Sequence, residues 1–396
     1  MVRVTTETLR AQITDYVDRH AGMLLDVSHS IHANPELGFE EHHAHDVLTS
    51  ALSDAGLDTE RGAFDVPTAF RATAGSGDGP LIAVLLEYDA LPEIGHACGH
   101  NIIASAGLGA GLAAAAVAEV TGGRLTILGT PAEEGGGGKI VMAERGAFDG
   151  VTAAMMIHPA DADLIAMNTV ALQKLIATYE GLAAHAAAAP WMGRNALDAA
   201  VLGYNNVAAL RQHIGTDERI HGIFTHAGDK ANIVPHRAEA MWYVRSPTVE
   251  SLQPLKQRVQ TCLEAGASAA GCGCQIEWKT GAEAYSDMRD NAAMLGSFVA
   301  NASLVGRNLR DPRMGQKVVG STDMGNISYL VPSIHPMLQV APAGVPIHSH
   351  KFATFAGGEE GDRAVLDGAK AMALTVLDLW TNASLVQAAT AEFAAG

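Results

Sequence analysis

The sequence has few cysteines and little positive charge. The first shortage bears on disulfide bonds, and the second bears on which partners the protein can bind. Four of its 396 residues are cysteines, and the polar stretch Thr5 to Arg10 does not resemble a signal peptide. A disulfide framework is therefore not expected, and a cytoplasmic location is. Lys and Arg number 26 against 43 Asp and Glu, which gives a formal net charge of −17. Because so acidic a surface repels phosphate groups, neither nucleic acid nor an anionic membrane is an expected partner.

One uncharged stretch of the chain could be mistaken for a membrane span, but it has few of the large apolar residues typical of one. Residues 102–117 carry no charge, but this stretch is dominated by Ala and Gly and is short for a bilayer. It is predicted to be a buried helix. Hydrophobic residues make up 48% of the sequence, enough for a large core, and a chain of this length favours two domains.

Helix and strand patterns alternate along the first part of the chain. Such alternation implies a mostly parallel sheet covered by helices on both faces, an α/β fold. Helices are predicted at 6–32, 40–55, after 101 and at 139–144, and strands at 81–86, 124–129 and 153–157.

The middle of the chain follows a different pattern. Strands are predicted near 172–179, 220–225, 238–244 and 275–278, with helices starting near 195 and 246. The resulting order, β-α-β-β-α-β, is that of a ferredoxin-like α+β sandwich. We therefore predict one domain formed by residues 1–170 and 286–396, into which a second domain, residues 171–285, is inserted.

Five short segments hold the residues that could carry chemistry, and most follow predicted strands, where open α/β sheets place their ligand sites. Cysteine and histidine on either side of one glycine can converge on a single ion. Of two adjacent carboxylates, one can bind metal while the other transfers protons. The segments contain Cys98 and His100, Glu133 and Glu134, His158, Asp323, and His348 and His350.

Taken singly, each segment has a plainer interpretation. A lone histidine at a strand end, such as His158, is more often structural, and the Glu133–Glu134 pair alone could be a solvated turn. The glycine run before Lys139 fails as a phosphate-binding loop, because Glu133 stands where that motif needs glycine. Only the combination of segments indicates a specific chemistry.

Together the segments resemble peptidase family M20, the dinuclear metallo-aminoacylases and carboxypeptidases. The resemblance covers nearly the whole chain and is most specific in His96-Ala-Cys-Gly-His100 and Pro131-Ala-Glu-Glu134. It points to the branch of indole-acetyl-amino-acid, hippurate and aminobenzoyl-glutamate hydrolases. Ser321-Thr-Asp-Met-Gly-Asn326 departs from most of that branch and is similar to the sub-branch that cleaves dipeptides or aminobenzoyl-glutamate.

The resemblance implies two divalent metal ions per subunit, zinc or manganese. It makes Glu133 the general base and gives Asp89 and Asp323 supporting positions behind the ligands. His348 is preferred to His350 as the last ligand because His348-Ser-His-Lys-Phe352 matches the family's ending, although the two remain alternatives. The implied ligands are Cys98, His100, Glu134, His158 and His348.

For the inserted domain, the resemblance implies a lid that also joins two subunits into a homodimer. His185 is expected to reach the active site of the other subunit, and Asn232 and Arg245 are expected to bind the substrate's carboxylate. The expected substrate is an N-acyl amino acid, a dipeptide or an aminobenzoyl-glutamate-like compound, cut at its amide bond. The alternative is a catalytically silent, metal-dependent binding or regulatory protein, against which the retention of Glu133 argues.

Overall fold

The computed structural model describes residues 5–311 and 319–396, and the chain divides into two compact units. Unit 1 combines Met1–Asn168 with Met288–Gly396, and unit 2 is the segment between them, Thr169–Asp287. The joins predicted near residues 171 and 286 lie beside these bounds.

Helices and strands alternate through most of the described residues. The helices are α1 (Thr6–Arg19), α2 (Ala21–Ala33), α3 (His42–Asp54), α4 (His100–Thr121), α5 (Gly138–Glu144), α6 (Ala196–Leu210), α7 (Val249–Ala269), α8 (Ala292–Leu304), α9 (Met324–Ser328), α10 (His350–Ala356), α11 (Glu359–Thr381) and α12 (Ala383–Ala395). The strands are β1 (Asp58–Arg61), β2 (Phe70–Ala74), β3 (Leu81–Leu86), β4 (Arg124–Gly129), β5 (Ala153–Met155), β6 (His158–Ala160), β7 (Asn168–Thr169), β8 (Ala171–Glu180), β9 (Arg219–His226), β10 (Arg237–Ser246), β11 (Gly273–Trp278), β12 (Ala284–Tyr285), β13 (Val319–Gly320), β14 (Ser333–Ile334) and β15 (Met337–Gln339).

The main sheet of unit 1 has the strand order β1-β2-β4-β3-β5-β14. Strand β2 is antiparallel to both its neighbours, whereas β4, β3, β5 and β14 are parallel to one another. The predicted mostly parallel α/β fold is therefore confirmed. Since the parallel strands end at one edge, the loops that follow β3, β4 and β5 meet there.

Helix α4 contains the uncharged stretch 102–117 and contributes many residues to the core of unit 1. Of the described residues, it alone is long and apolar enough to cross a membrane, and 89% of its most apolar window is buried inside the protein. A Cβ added to Gly107 would lie 2.8 Å from Leu86, and one added to Gly111 would lie 2.4 Å from Ile127. Glycine lets α4 approach the sheet closely, which explains an Ala- and Gly-rich composition in a core helix.

Two sequence predictions in unit 1 were wrong in detail. The single helix predicted over 6–32 is two helices, α1 and α2, separated at His20. At His20 the backbone leaves the helical region, with φ of −103° and ψ of 10°, and the His20 ring stacks on Tyr16. The strand predicted over 153–157 is shorter, ending at Met155 as β5. A separate short strand, β6, begins at His158 and pairs with β15, whereas β5 pairs with β14.

Unit 2 has a separate sheet and a separate core. Its antiparallel strands have the order β11-β8-β10-β9, and β12 also pairs with β8. Helices α6 and α7 pack against this sheet around the fully buried side chains of Trp242, Tyr179 and Leu263. The chain order β8-α6-β9-β10-α7-β11 is the predicted ferredoxin-like order.

Candidate active site

The candidate site lies where the loops after β3, β4 and β5 meet in unit 1. Glu87 and Asp89 follow β3, and His100 begins α4. Gly99, just before α4, has a φ of +79°, and a Cβ there would lie 2.8 Å from Pro159. Only glycine fits this position, so it brings the residues around Cys98 close to the strand that carries His158.

Cys98, His100 and His158 form a first buried group. Their donor atoms all lie within 4.8 Å of one another, and Cys98 Sγ is 3.4 Å from His158 Nε2. Each imidazole is oriented from behind: Asp89 Oδ1 lies 3.0 Å from His100 Nδ1, and the Pro159 carbonyl accepts from His158 Nδ1 at 2.7 Å. Both Nε2 atoms therefore face the group, as in histidines that bind metal.

Cys98 also belongs to a second group, with Glu134 and His348. His348 Nε2 lies 3.0 Å from Glu134 Oε1. A left-handed backbone conformation at His348, with φ of +61°, and a 2.8 Å hydrogen bond from its N–H to the Ala97 carbonyl hold this residue beside the Cys98 loop. His350 begins α10 and is in neither group.

All five predicted ligands are thus brought together, with the Cys98 thiol common to both groups. Burial, followed by the charge of Glu134, raises the pKa of this thiol well above its ordinary value. A thiolate would need a cation beside it. His100 Nε2 is buried and has no hydrogen-bond partner among the described residues. This set of sulfur, nitrogen and oxygen donors fits two divalent ions sharing one thiolate.

Glu133 and Glu134 follow β4 and have opposite electrostatic environments. Burial, with the charges of Glu87 and Glu134, raises the pKa of Glu133 well above its ordinary value. Burial opposes ionisation of Glu134 too, but the hydrogen bond with His348 lowers its pKa. A carboxylate that readily takes up a proton beside one that stays ionised gives the pair two distinct chemical roles.

A buried ion cluster lies next to Glu133. The Lys139 Nζ contacts Glu87 Oε1 and is 2.7 Å from Asp323 Oδ1, and all three side chains are fully buried. Burial opposes the charge on Lys139, but Asp323 and Glu87 raise its pKa. Glu87, Glu133 and Asp323 form a further group of clustered carboxylates, which Lys139 already supplies with a cation.

Sequence reasoning gave no role to Glu87, Lys139 or His335. The His335 ring lies 5.4 Å from that of His158, and burial lowers its pKa well below the ordinary value. One signal could have revealed it: Ile334-His-Pro336 repeats Ile157-His-Pro159. Asp323, predicted as a supporting residue, accepts hydrogen bonds from the backbone N–H and the Nζ of Lys139.

The remaining predicted site residues lie in unit 2. His185 is exposed, and its Nδ1 accepts hydrogen bonds from the N–H groups of Ala187 and Ala188 at 3.3 and 3.1 Å. Since Nδ1 is an acceptor, the proton of the neutral ring is on Nε2, which can donate outward. The Ala186 N–H donates to the Asn232 carbonyl at 3.0 Å, so Asn232 lies beside the His185 segment.

Arg245 lies at the other end of β10 from this pair. Strand β10 begins at Arg237, just after the Asn232 segment, and Arg245 is its penultimate residue. With a rise of about 3.3 Å per residue, Arg245 lies roughly 25 Å from the start of the strand. One chain therefore does not bring Asn232 and Arg245 together on a single carboxylate.

Comparisons with known proteins agree with this geometry. Residues 87–378 match the sequence profile of "Peptidase family M20/M25/M40". The chain is 37% identical to Xaa-Arg dipeptidase of Mus musculus, over 98% of this chain and 92% of the relative. It is 28% identical to one of the subunits of p-aminobenzoyl-glutamate hydrolase from Escherichia coli (strain K12), over 95% of this chain and 92% of the relative.

Among solved structures, the fold is similar to that of a dinuclear metal-binding peptidase of the M20 family from Bacillus subtilis. That likeness has a TM-score of 0.72 at 18% identity and covers 92% of this chain and 99% of the other. The matched span from Glu87 to Asp378 includes every predicted ligand and the whole of unit 2. The clustered thiol, imidazoles and carboxylates therefore stand in the fold for which they were predicted, and the chain belongs to Peptidase family M20/M25/M40.

Proposed function

We propose that this protein is a metal-dependent hydrolase that cleaves the amide bond of a dipeptide, with an N-acyl amino acid or an aminobenzoyl-glutamate-like compound as related substrates. The observation that carries the proposal is the pair of donor groups sharing Cys98, with Glu133 at their edge. The 37% identity to a relative named Xaa-Arg dipeptidase supports a dipeptide with a basic C-terminal residue. We also propose a cytoplasmic location, which fits four free cysteines.

Two divalent ions, zinc or manganese, would be held by Cys98, His100 and His158 and by Cys98, Glu134 and His348. When bound, such ions polarise a carbonyl oxygen and lower the pKa of a water molecule. Glu133 accepts the proton from the attacking water and returns it to the leaving amine. Asp89 and the Pro159 carbonyl keep the two imidazoles in the tautomer that presents Nε2.

The proposal includes a homodimer with shared sites. His185 and Asn232 of one subunit would serve the site of the other, where Nε2 of His185 donates a hydrogen bond to the oxyanion. If Asn232 and Arg245 bind the same carboxylate, they come from different subunits, because within one chain they lie at opposite ends of β10. Strand β9 at the sheet edge, with Ile223 64% exposed, suits pairing with a second copy.

The experiment combines turnover with metal content. Protein loaded with zinc, manganese or cobalt and then desalted is assayed on dipeptides and N-acyl amino acids, and metal is measured by elemental analysis. Wild type should hold about two ions per subunit and hydrolyse dipeptides. Glu133→Gln should retain the metal and lose about 10²–10⁴-fold in kcat, as expected when a general base is removed.

Glu144→Gln is the matched control, because Glu144 is exposed at the end of α5. It should match wild type in both measurements. Loss of metal from Glu133→Gln would mean that the roles of the two glutamates are reversed. A metal-loaded wild type without turnover on any substrate would instead favour the catalytically silent binding protein.

A further inference from the structure

A cavity of about 210 Å³ lies in unit 1 beside the candidate site, and the mechanism above gives it no role. Leu164, Met167 and Met337 line it on one side, and Val345, Pro346 and Ile347 line it on the other. The volume is below that of pockets that enclose whole small molecules, which begin at about 300 Å³, and suits a single long side chain.

The cavity walls are built from the two segments that carry predicted ligands. His158 pairs in register with Met337 through β6 and β15, and the His158 N–H donates to the Pro336 carbonyl at 2.9 Å. Ile347 directly precedes His348, whose N–H is bonded to Ala97. A side chain in the cavity would therefore extend from a substrate backbone held at the donor groups.

One carboxylate lines this otherwise mostly apolar cavity. Asp161 Oδ2 accepts a 2.7 Å hydrogen bond from the Gly344 N–H, which ties the two walls together. Its neighbour Asp163 is bonded to Arg307 at 3.3 Å and to the Gln339 N–H. Within residues 5–311 and 319–396, Asp161 has no such cationic partner.

We infer that this cavity is the subsite for a cationic side chain, that of the substrate's C-terminal arginine or lysine, with Asp161 facing the charge. This inference rests on the proposed function and names its specificity residue. An arginine has an apolar stem, which matches the methionine and leucine walls, and a guanidinium with five donors, which matches a carboxylate. The net charge of −17 also attracts a cationic substrate.

The test uses dipeptides that differ only in charge, with the metal-loaded full chain. Ala-citrulline has nearly the shape of Ala-Arg but no charge, and Ala-Gly places no side chain in the cavity. Wild type should prefer Ala-Arg to Ala-citrulline. Asp161→Asn should lower kcat/KM for Ala-Arg by roughly 10- to 100-fold, the value of one charge-assisted hydrogen bond, and leave Ala-citrulline and Ala-Gly within about threefold.

Asparagine at position 161 keeps an oxygen that can accept from the Gly344 N–H, and the exposed Asp149→Asn serves as the control for lost charge. A second variant, Leu164→Trp, fills the cavity and should raise KM for Ala-Arg while sparing Ala-Gly. If Asp161→Asn does not fold, this variant still tests the assignment.

Three results would overturn the inference. The first is an equal loss of kcat/KM on all substrates for both variants, and the second is unchanged selectivity in both variants. The third is an effect of Asp161→Asn on Arg-Ala in place of Ala-Arg. Each of these leaves dipeptide hydrolysis standing. A wild type that cleaves none of the dipeptides would instead remove the proposed function, and the subsite with it.

Discussion

At the scale of single residues, the predicted ligands and the residues that sequence reasoning passed over differ in one respect. Cys98, His100 and Glu134 stand in short segments whose neighbours repeat a known pattern, so the linear sequence contains the signal. The contacts of Lys139 with Glu87 and Asp323 join residues 52 and 184 positions apart. A lysine after a glycine run has no feature that predicts full burial, and only the fold creates its partners.

Glu41 is another buried carboxylate that the sequence did not single out. It accepts hydrogen bonds from the Thr68 hydroxyl and the Ala132 N–H, both at 2.8 Å. The latter bond holds Ala132, whose φ is +57°, directly before Glu133. Burial raises the pKa of Glu41 from 4.5 to about 7, although both hydrogen bonds oppose the shift.

This raised pKa predicts a pH-dependent stability. The folded state holds the Glu41 proton more tightly than the unfolded state does, so the stabilisation from this group is fully present below about pH 4.5 and is lost as the pH rises to about 7. The loss is on the order of 3 kcal/mol, and Glu41→Gln should remove it from the pH profile. Urea denaturation of chelator-treated protein from pH 4.5 to 8 measures the slope of the unfolding free energy against pH.

The control is Glu40→Gln, because Glu40 is exposed and adjacent. It should keep the slope of wild type. The test depends on the difference in slope between variants, since glutamine also changes one hydrogen bond at every pH. Parallel profiles for wild type and Glu41→Gln would show that Glu41 is ionised in the folded protein throughout this range.

At the scale of elements, the sequence predicted helices best where a capping residue marks the start. Asn195 accepts from the N–H groups of Leu197 and Asp198 and caps the start of α6, as predicted. The break between α1 and α2 was missed because His20, where the backbone leaves the helical region, is neither glycine nor proline. The sequence also did not predict how closely two helices pack, because that distance depends on which helix faces meet in the fold.

Helices α6 and α7 of unit 2 meet at two glycines. A Cβ on Gly266 would lie 2.3 Å from the Gly203 backbone nitrogen and 2.6 Å from the Ala199 carbonyl oxygen. Backbone cannot move aside as a side chain can, so Gly266→Ala should separate the helices. We expect a loss of about 1–3 kcal/mol, measured as a lower unfolding free energy.

Gly296 in α8 provides the matched control. It too lies inside a helix, but a Cβ there meets no atom within 4 Å. Gly296→Ala should therefore stabilise the protein by up to about 1 kcal/mol, the ordinary gain in helix propensity. If both variants gained stability, the helices would not be in the close contact described.

At the scale of the whole molecule, the sequence predicts two domains because the pattern of helices and strands changes along the chain. The strand–helix alternation of unit 1 gives way to β-α-β-β-α-β and then resumes. Patterns of helices and strands do not predict an oligomeric state, however. If Asn232 and Arg245 hold one carboxylate, as proposed, their positions at opposite ends of β10 require that a second chain supplies one of them.

The shared site can be tested by mixing two inactive proteins. Glu133→Gln and His185→Ala should each be nearly inactive. Mixed in equal amounts, dissociated and reassociated, they should form half heterodimers, each with one doubly damaged site and one intact site. Activity should then return to roughly a quarter of wild type, as random pairing of an isologous dimer requires. If His185 served its own chain, every site would stay damaged, and confirmed heterodimers without activity would refute the shared site while leaving the metal ligands, all in unit 1, untouched.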